Sequence, residues 1–369
     1  MPFQMLVTVA VFALALLPLS APGQERTEVP APVALPDSSP APFVPPPVWS
    51  PDPTPIVPAV PAPLAEAGPF GNGMGRDFRP SVYRADYRVT WFPNELVQGQ
   101  NTHLGFVRED LNATVPLWHD DCNDFAATFH IRNEVFSTDA VLLNPPRPFP
   151  EQLWDVRFGG SYRHLFDNGW IAGASVSLGS SGDRPFENAR DFTGSVNAFL
   201  TVPQGERNYW LFNLAYSSNS ELPYPIPGIA FVWQPADNFR LHIGLPFQLM
   251  YRPIDDLQFD VSYMLLYTFR ARTTYRIAPW LRVYASYDVG NEAYPLADRL
   301  NDNDRLFYYD QRVTTGLLFK LGQQMSLDLS GGYAFDRYYF EGQHLSDSNG
   351  NRLTVGDGPF LSLQFQTRW

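Results

Sequence analysis

The last nine residues of the chain alternate strictly between apolar and polar side chains and end on an aromatic residue. The apolar face of this segment carries Leu361, Leu363, Phe365, Thr367 and Trp369. A strand with one apolar and one polar face lies at a boundary between hydrocarbon or protein core and water. Two architectures meet this requirement: a β-barrel in a membrane, and a sheet of a soluble β-sandwich.

The same alternation recurs from about residue 81 onwards, and this persistence favours the barrel. The recurring apolar faces begin at Tyr83, Phe125, Trp154, Trp170, Leu281 and Met325. They carry aromatic residues at their ends and small or aliphatic residues in the middle, as in the aromatic girdles at the two lipid interfaces. The sequence therefore predicts an all-β fold: an antiparallel, up-and-down transmembrane β-barrel over residues 81–369.

The connections between these segments differ in length in a regular way. Short turns are predicted at 165–169, 203–208, 235–238, 253–256, 277–279 and 320–323. Long polar loops are predicted near 137–151, 180–190, 218–227, 290–305 and 337–358. Barrels of the outer membrane have short periplasmic turns and long external loops, so the chain ends are expected on the periplasmic side.

A weak repeat of aromatic-x-Pro-x-Asp-x-apolar complicates the strand count. Copies occur at 233–239 and 251–257, with a degenerate third copy at 275–281. If all three are periplasmic turns, the strands between them are shorter than the roughly 9 to 11 residues of a spanning strand. Otherwise the repeats alternate between the two sides. The prediction is a barrel of roughly 12–16 strands, even in number.

The N-terminal 80 residues have a different composition. Residues 1–23 contain an apolar run from Met5 to Leu19, which is short for a membrane span and is typical of a cleaved signal peptide. Residues 24–80 are rich in Pro and Ala, which predicts a disordered periplasmic linker that extends towards the cell wall.

Composition excludes some functions. The formal net charge of the 369 residues is −12, so the chain is not expected to bind nucleic acid. The single cysteine, Cys122, forms no internal disulfide. The sequence predicts no cofactor.

Several short motifs point to one family. They begin at Arg88, Pro225, Ile243, Asn291, Phe307, Leu329 and Gly356. Over residues 80–369 the chain resembles an uncharacterised family of bacterial outer-membrane β-barrel proteins, a domain of unknown function. The resemblance implies fold and location and carries no known activity.

The histidines do not indicate a hydrolase, since none lies at a recognised spacing from a serine. We therefore predict that the protein is not an enzyme, with an outer-membrane lipid hydrolase as the weakest alternative.

Charged residues on the predicted lumenal faces are the candidate functional residues. From the alternation of side chains along each strand, we predict that the following residues face the lumen: His130, Arg132, Arg157, Arg163, Arg240, His242, Asp260, Arg270, Arg276 and Arg282. Two interpretations remain open. The charges set the selectivity of a pore, or they pair with one another and brace a closed barrel.

Two further sites follow from local patterns. Asp347, Asn349, Asn351 and Asp357 place oxygens at alternating positions, as a calcium loop does, but Gly350 comes too early and no Glu closes the site, so a plain Asn-Gly turn is the favoured interpretation. Phe365 and Trp369 are predicted to form the signal that the barrel assembly machinery reads. The expected partners are that machinery, outer-membrane lipids and a small-molecule solute.

The leading functional hypothesis is a passive outer-membrane channel for small solutes. A structural or adhesive barrel without transport is the alternative. A lipid-handling enzyme is a weaker one. The width of the lumen, side openings in the barrel and a His–Ser contact would separate the three hypotheses.

Overall fold

A computed structural model describes residues 78–143, 146–219, 224–264, 268–349 and 352–369. The predicted signal peptide and almost all of the predicted linker lie outside the described residues. Within the described part of the chain, no helix has the length and apolarity needed to cross a membrane.

Strands account for most of the described residues, and two short 3₁₀ turns interrupt the loops at Ala189–Asp191 and Leu345–Asn349. The strands are β1 (Arg84–Leu96), β2 (His103–His119), β3 (Asn123–Thr138), β4 (Val141–Leu143), β5 (Pro146–Pro148), β6 (Gln152–Leu165), β7 (Ile171–Gly182), β8 (Phe192–Gln204), β9 (Asn208–Ser217), β10 (Ile226–Ala236), β11 (Phe239–Gly244), β12 (Phe247–Ile254), β13 (Leu257–Met264), β14 (Thr268–Ala278), β15 (Leu281–Tyr294), β16 (Arg305–Leu321), β17 (Met325–Gly342), β18 (Leu353–Val355) and β19 (Gly358–Arg368).

Sixteen of these strands form one closed antiparallel barrel. Neighbours in sequence pair with each other, and β19 pairs with both β17 and β1, which closes the ring. The short strands β4 and β5 form a separate hairpin, and β18 pairs only with β17 and extends it. The predicted fold class and the upper end of the predicted strand number are confirmed.

The barrel has two kinds of end. All of the predicted short turns lie at one end, together with the turn at 120–122 and the first residue of β1. We call this the short-turn end. The predicted long loops all lie at the opposite, long-loop end, where the connections between β11 and β12 and between β13 and β14 are nevertheless short.

The wall of the barrel differs greatly in height around its circumference. Strands β11, β12 and β13 have 6, 8 and 8 residues, and we call them the low wall. Strands β2, β3, β16 and β17 have 17, 16, 17 and 18 residues and form the tall wall, nearly opposite in the ring. The three repeat copies therefore all lie at the short-turn end, and the first of the two interpretations of the repeat, short strands, is correct.

The apolar face of the strands points outward. Exposed side chains on this face include Val176, Leu329 and Leu363, whereas Ser175 and Gln364 lie on the opposite face, across from polar partners on neighbouring strands. Glycine appears where side chains inside the barrel approach a strand closely. A Cβ atom on Gly173 would lie 2.4 Å from the ring of Phe199, and one on Gly316 would lie 2.5 Å from the ring of Tyr284.

Candidate functional site

The inner face of the barrel carries most of the charged side chains and is the candidate functional site. All ten predicted lumenal residues lie on this face. They are carried by six strands: His130 and Arg132 on β3, Arg157 and Arg163 on β6, Arg240 and His242 on β11, Asp260 on β13, Arg270 and Arg276 on β14, and Arg282 on β15.

The long-loop end of the tall wall is filled by apolar side chains. This outer plug comprises Phe92, Val97, Leu104, Phe106, Phe136, Ala140, Leu142, Phe149, Leu153, Tyr294, Leu296, Leu306, Tyr308, Ala334, Tyr339, Leu353, Val355 and Phe360. Three of its members come from the loop between β3 and β6, which folds inward over the strands. Arg147 in that loop bonds the Asp298 carbonyl at 2.5 Å and pairs with Glu341, which holds the loop in place.

A network of buried charges lies beside the outer plug. Arg108 contacts Glu134 at 2.7 Å and both carboxylate oxygens of Glu292 at 3.0 Å. The side chains of Arg108 and Glu134 are 2% and 0% exposed. Arg132 bonds Asp110 at 2.5 Å and Glu292 at 2.8 Å. Each charge is paired, as buried charges must be, and the network fixes β2, β3 and β15 relative to one another.

A cavity of about 150 Å³ lies in the lumen next to this network. Its charged lining consists of Arg88, Arg108, Arg270, Arg272, Arg312, Asp288, Glu292, Asp310 and Asp328. Arg270 pairs with Asp288, and Arg312 pairs with Asp310 at 2.5 Å. Serine and threonine hydroxyls complete much of the remaining surface.

Arg272 is the least well paired of the cavity arginines. Its guanidinium lies over the ring of Tyr284, 3.4 Å from the ring centroid. Its Nη2 atom is 3.8 Å from the Asp328 carboxylate, beyond hydrogen-bonding distance. Neither Nε nor Nη2 has a hydrogen-bond partner in the described structure. Sequence parity missed Arg272 as a candidate, although it is two residues from Arg270 on the same face.

A second group of cations surrounds part of the lumen at the short-turn end. This basic belt comprises Arg84, Arg240, Arg252, Arg276, Arg282, Lys320 and Arg368, each within three residues of a strand end. Arg84 lies directly opposite Arg368 in the sheet, and Arg276 lies opposite Arg282. Like charges directly opposite each other destabilise a sheet. We therefore expect these arginine pairs to have a function that offsets the loss of stability.

The basic belt is only partly neutralised. Arg276 bonds Asp256 at 2.6 Å, whereas Arg240 and Arg252 donate to the neutral amides of Gln234 and Gln258. Among the described residues, no carboxylate pairs with Arg282 or Lys320. Sequence parity had identified Arg240, Arg276 and Arg282. The others have the same signal, a basic residue at an inward position within three residues of the short-turn end of its strand.

The two predicted lumenal histidines have different surroundings. His130 Nδ1 is 2.7 Å from Asn112 Oδ1, and its Nε2 is 3.7 Å from Asp155. His242 is buried, and its ring packs edge-on against Tyr209 at 6.4 Å between centroids. In the described part of the chain, no histidine bonds a serine hydroxyl.

The remaining predicted inward residues are held by local partners. Arg157 bonds Asp155 at 2.5 Å, Arg163 bonds Asp124 at 2.7 Å, and Asp260 accepts from Gln258 at 2.8 Å. The contact of Arg163 with Asp124 joins β6 to β3 and supports the bracing interpretation for that side of the barrel.

The predicted calcium loop is only partly described. Asp347 accepts hydrogen bonds from the Gln343 and His344 amides at 3.0 and 2.9 Å, and Asp357 accepts one from the Asp336 amide at 3.1 Å. Asn351 and the side chain of Asn349 lie outside the described part of the structure. Among the residues that are described, no three His, Cys, Asp or Glu side chains form a group suited to a metal ion.

The predicted assembly residues lie at the seam between the two chain ends. The Trp369 ring stacks on Tyr83 with 6.0 Å between centroids, and its amide donates to the Tyr83 carbonyl at 3.0 Å. Phe365 lies between Tyr87 of β1 and Leu327 of β17 on the outward face.

No protein-family model matches the chain, and no curated protein is significantly similar to it. Several outer-membrane proteins of solved structure align with the chain at low identity. An outer membrane channel from Pseudomonas putida F1 is 12% identical, with 80% of this chain and 98% of that chain covered and a TM-score of 0.35. Pseudomonas aeruginosa OccK7 is 8% identical, with 78% and 98% covered and a TM-score of 0.35. The β domain of the Bordetella autotransporter BrkA is 9% identical, with 78% and 100% covered and a TM-score of 0.32.

Proposed function

We propose that the protein is an outer-membrane channel that conducts small solutes and prefers anions. The observation that carries this proposal is the basic belt, in which Arg282 and Lys320 have no carboxylate partner among the described residues. Positive side chains that line a mouth of a pore raise the local concentration of anions and repel cations.

The route for solutes follows the low wall. The outer plug fills the long-loop end beside the tall wall, and the charge network beneath it is fully paired. The low wall contributes Arg240 and Arg252 to the basic belt, and its strands end well short of the outer plug. An anion that enters at the short-turn end therefore meets the belt first and then the cavity lined by Arg270 and Arg272.

Reversal potentials in planar bilayers test the selectivity. Under a KCl gradient, the reversal potential of the wild-type channel should lie closer to the equilibrium potential of chloride than to that of potassium. The double substitution Arg282→Gln and Lys320→Gln should shift the reversal potential towards cations, because it removes two positive charges of the belt that no described carboxylate pairs with. Arg207→Gln is the matched control, since Arg207 lies in a short turn outside the lumen and pairs with Asp237. Equal behaviour of the double variant and the wild type would contradict the proposal.

A structural barrel without transport is the second candidate, and the paired lumenal charges favour it. Arg270 with Asp288 and Arg132 with Asp110 brace neighbouring strands. If the wild-type protein shows no conductance, Arg270→Gln should instead lower thermal stability, because Asp288 then loses its partner.

Location in the outer membrane is part of the proposal. Cell fractionation should recover the protein in the outer membrane, and unboiled protein should migrate faster than boiled protein on a denaturing gel. Recovery in the soluble periplasm would contradict it.

A further inference from the structure

The low wall is too short to cover the apolar layer of a membrane. A strand rises about 3.3 Å per residue, so strands of six to eight residues tilted by roughly 40° reach about 15–20 Å along the barrel axis. The apolar band of such barrels is about 25 Å tall. On β2 of the tall wall, the outward face from Val107 to Trp118, which are 37% and 52% exposed, covers the full band. Among the described residues, the barrel therefore has a notch above the low wall at the long-loop end.

The rim of the notch is apolar and carries its own hydrogen bonds. Ile243 and Tyr263 are 52% and 40% exposed at the long-loop ends of β11 and β13. In the turn after β11, the Leu245 amide donates to Ile229 at 3.0 Å, and the Asn213 amide, correctly oriented, donates to the Leu245 carbonyl at 3.2 Å. A turn whose polar groups are satisfied internally can lie at hydrocarbon depth, where water is not available to them.

The arginine-lined cavity borders this notch. Ser262, Thr268, Phe269 and Arg270 line the cavity and lie at the long-loop ends of β13 and β14, beside the rim. Tyr308 and Phe360 of the outer plug line the opposite side. A ligand in this cavity thus meets charged groups within the lumen and apolar groups towards the notch.

The charged part of the cavity is suited to an oxyanion. Five arginines and four carboxylates line it, so arginine is in excess. Arg272 lies over the ring of Tyr284, and two of its nitrogens lack hydrogen-bond partners in the described structure. A buried donor without a partner is unfavourable, and a bound carboxylate or phosphate oxygen relieves that cost once Arg272 turns towards it.

We propose that the notch admits a single-chain anionic amphiphile from the membrane, with its carboxylate or phosphate head at Arg272 and its acyl chain across Ile243 and Tyr263. This function goes beyond passive conduction and does not require it. The anionic head explains the arginine excess, and the chain explains why the rim is apolar at a level where the wall stops.

Binding of laurate to the protein in lipid nanodiscs tests the proposal. Saturable binding of radiolabelled laurate should fall by about 10-fold or more in Arg272→Gln, since a charge-assisted hydrogen bond is lost. Arg157→Gln is the matched control, because Arg157 is a lumenal arginine on the far side of the barrel and should leave binding unchanged. Equal binding by the two variants, or no saturable binding by the wild type, overturns the proposal.

Competition separates the amphiphile from a free anion. Dodecyl phosphate should displace laurate, whereas acetate and inorganic phosphate at the same concentration should not. Displacement by acetate or inorganic phosphate would show an anion site that does not use the chain, and would overturn the proposal.

A second variant keeps the test valid if Arg272→Gln does not fold. Ile243→Asn leaves the cavity intact and should weaken laurate binding by removing apolar contact at the rim. Unchanged laurate binding in this folded variant would overturn the assigned path of the chain. Both measurements are independent of conductance, so failure of the channel proposal leaves them interpretable.

Discussion

The tall wall and the low wall solve the problem of a polar lumen in different ways. The tall wall pairs Arg108 and Arg132 with carboxylates, covers them with the outer plug and is tall enough to span the membrane band. The low wall carries arginines that donate to neutral amides and stops within the band. Paired, buried charges favour rigidity, whereas unpaired charges beside an opening favour contact with a ligand. One barrel thus combines a braced sector with an accessible one.

The largest expected difference concerns the buried charges of the tall wall. Arg108→Gln leaves Glu134 without its partner in a fully buried position, and should lower the free energy of unfolding by about 3–5 kcal/mol. On the low wall, Arg252→Gln breaks only a bond to a neutral amide and should cost less than about 1.5 kcal/mol. Urea unfolding from lipid vesicles measures both. Equal losses would remove the distinction between the two walls.

Lipid-facing substitutions should reveal the difference in height. An arginine at Val176, in the middle of β7, should cost about 2–4 kcal/mol, whereas one at Val283 or Leu327, two residues from the short-turn ends of β15 and β17, should cost less. The lumenal neighbours Ser175 and Ser326 should tolerate arginine. Leu249→Arg on the low wall should cost less than Val176→Arg, because an arginine just below the notch can extend its charged end through the notch to the water of the lumen. A full midplane cost at Leu249, again from urea unfolding in vesicles, would contradict the notch.

The smallest expected effect belongs to the seam beside the tall wall. Deletion of Trp369 removes its stack on Tyr83, which is worth about 0.5–1.5 kcal/mol beyond area burial. The fraction of heat-modifiable, folded protein in cells should fall, with less change in the stability of barrels that do form. Trp280→Ala, at a short turn away from the seam, is the control. An equal loss of folded protein in both variants would argue against a special role for the terminal residue.

Sequence periodicity predicted the barrel, the parity of its faces and the positions of its turns, because these depend on local alternation. Around Phe239 and Tyr251, the spacing of the repeat allowed two arrangements: short strands with all copies at one end of the barrel, or copies that alternate between the two ends. Only the observed pairing of β11 with β12 distinguished them. The outer plug could not be predicted, since it depends on how the loop that contains Leu142 and Phe149 folds back over distant strands. The contact between Arg108 and Glu292 could not be predicted for the same reason, because the two residues are 184 positions apart in the chain.

The seam between β1 and β19 also determines when the barrel can form. Asp86 and Gln364 hydrogen-bond across it although they are 278 positions apart in the chain. Such a non-local contact closes only after almost the entire polypeptide has been delivered, and its loop entropy makes that closure slow. Until then both terminal strands expose unpaired backbone edges that invite pairing with other chains. Each molecule must therefore be kept apart from its copies during transit, and a chain that ends prematurely, even by one strand, retains open edges with no partner of its own.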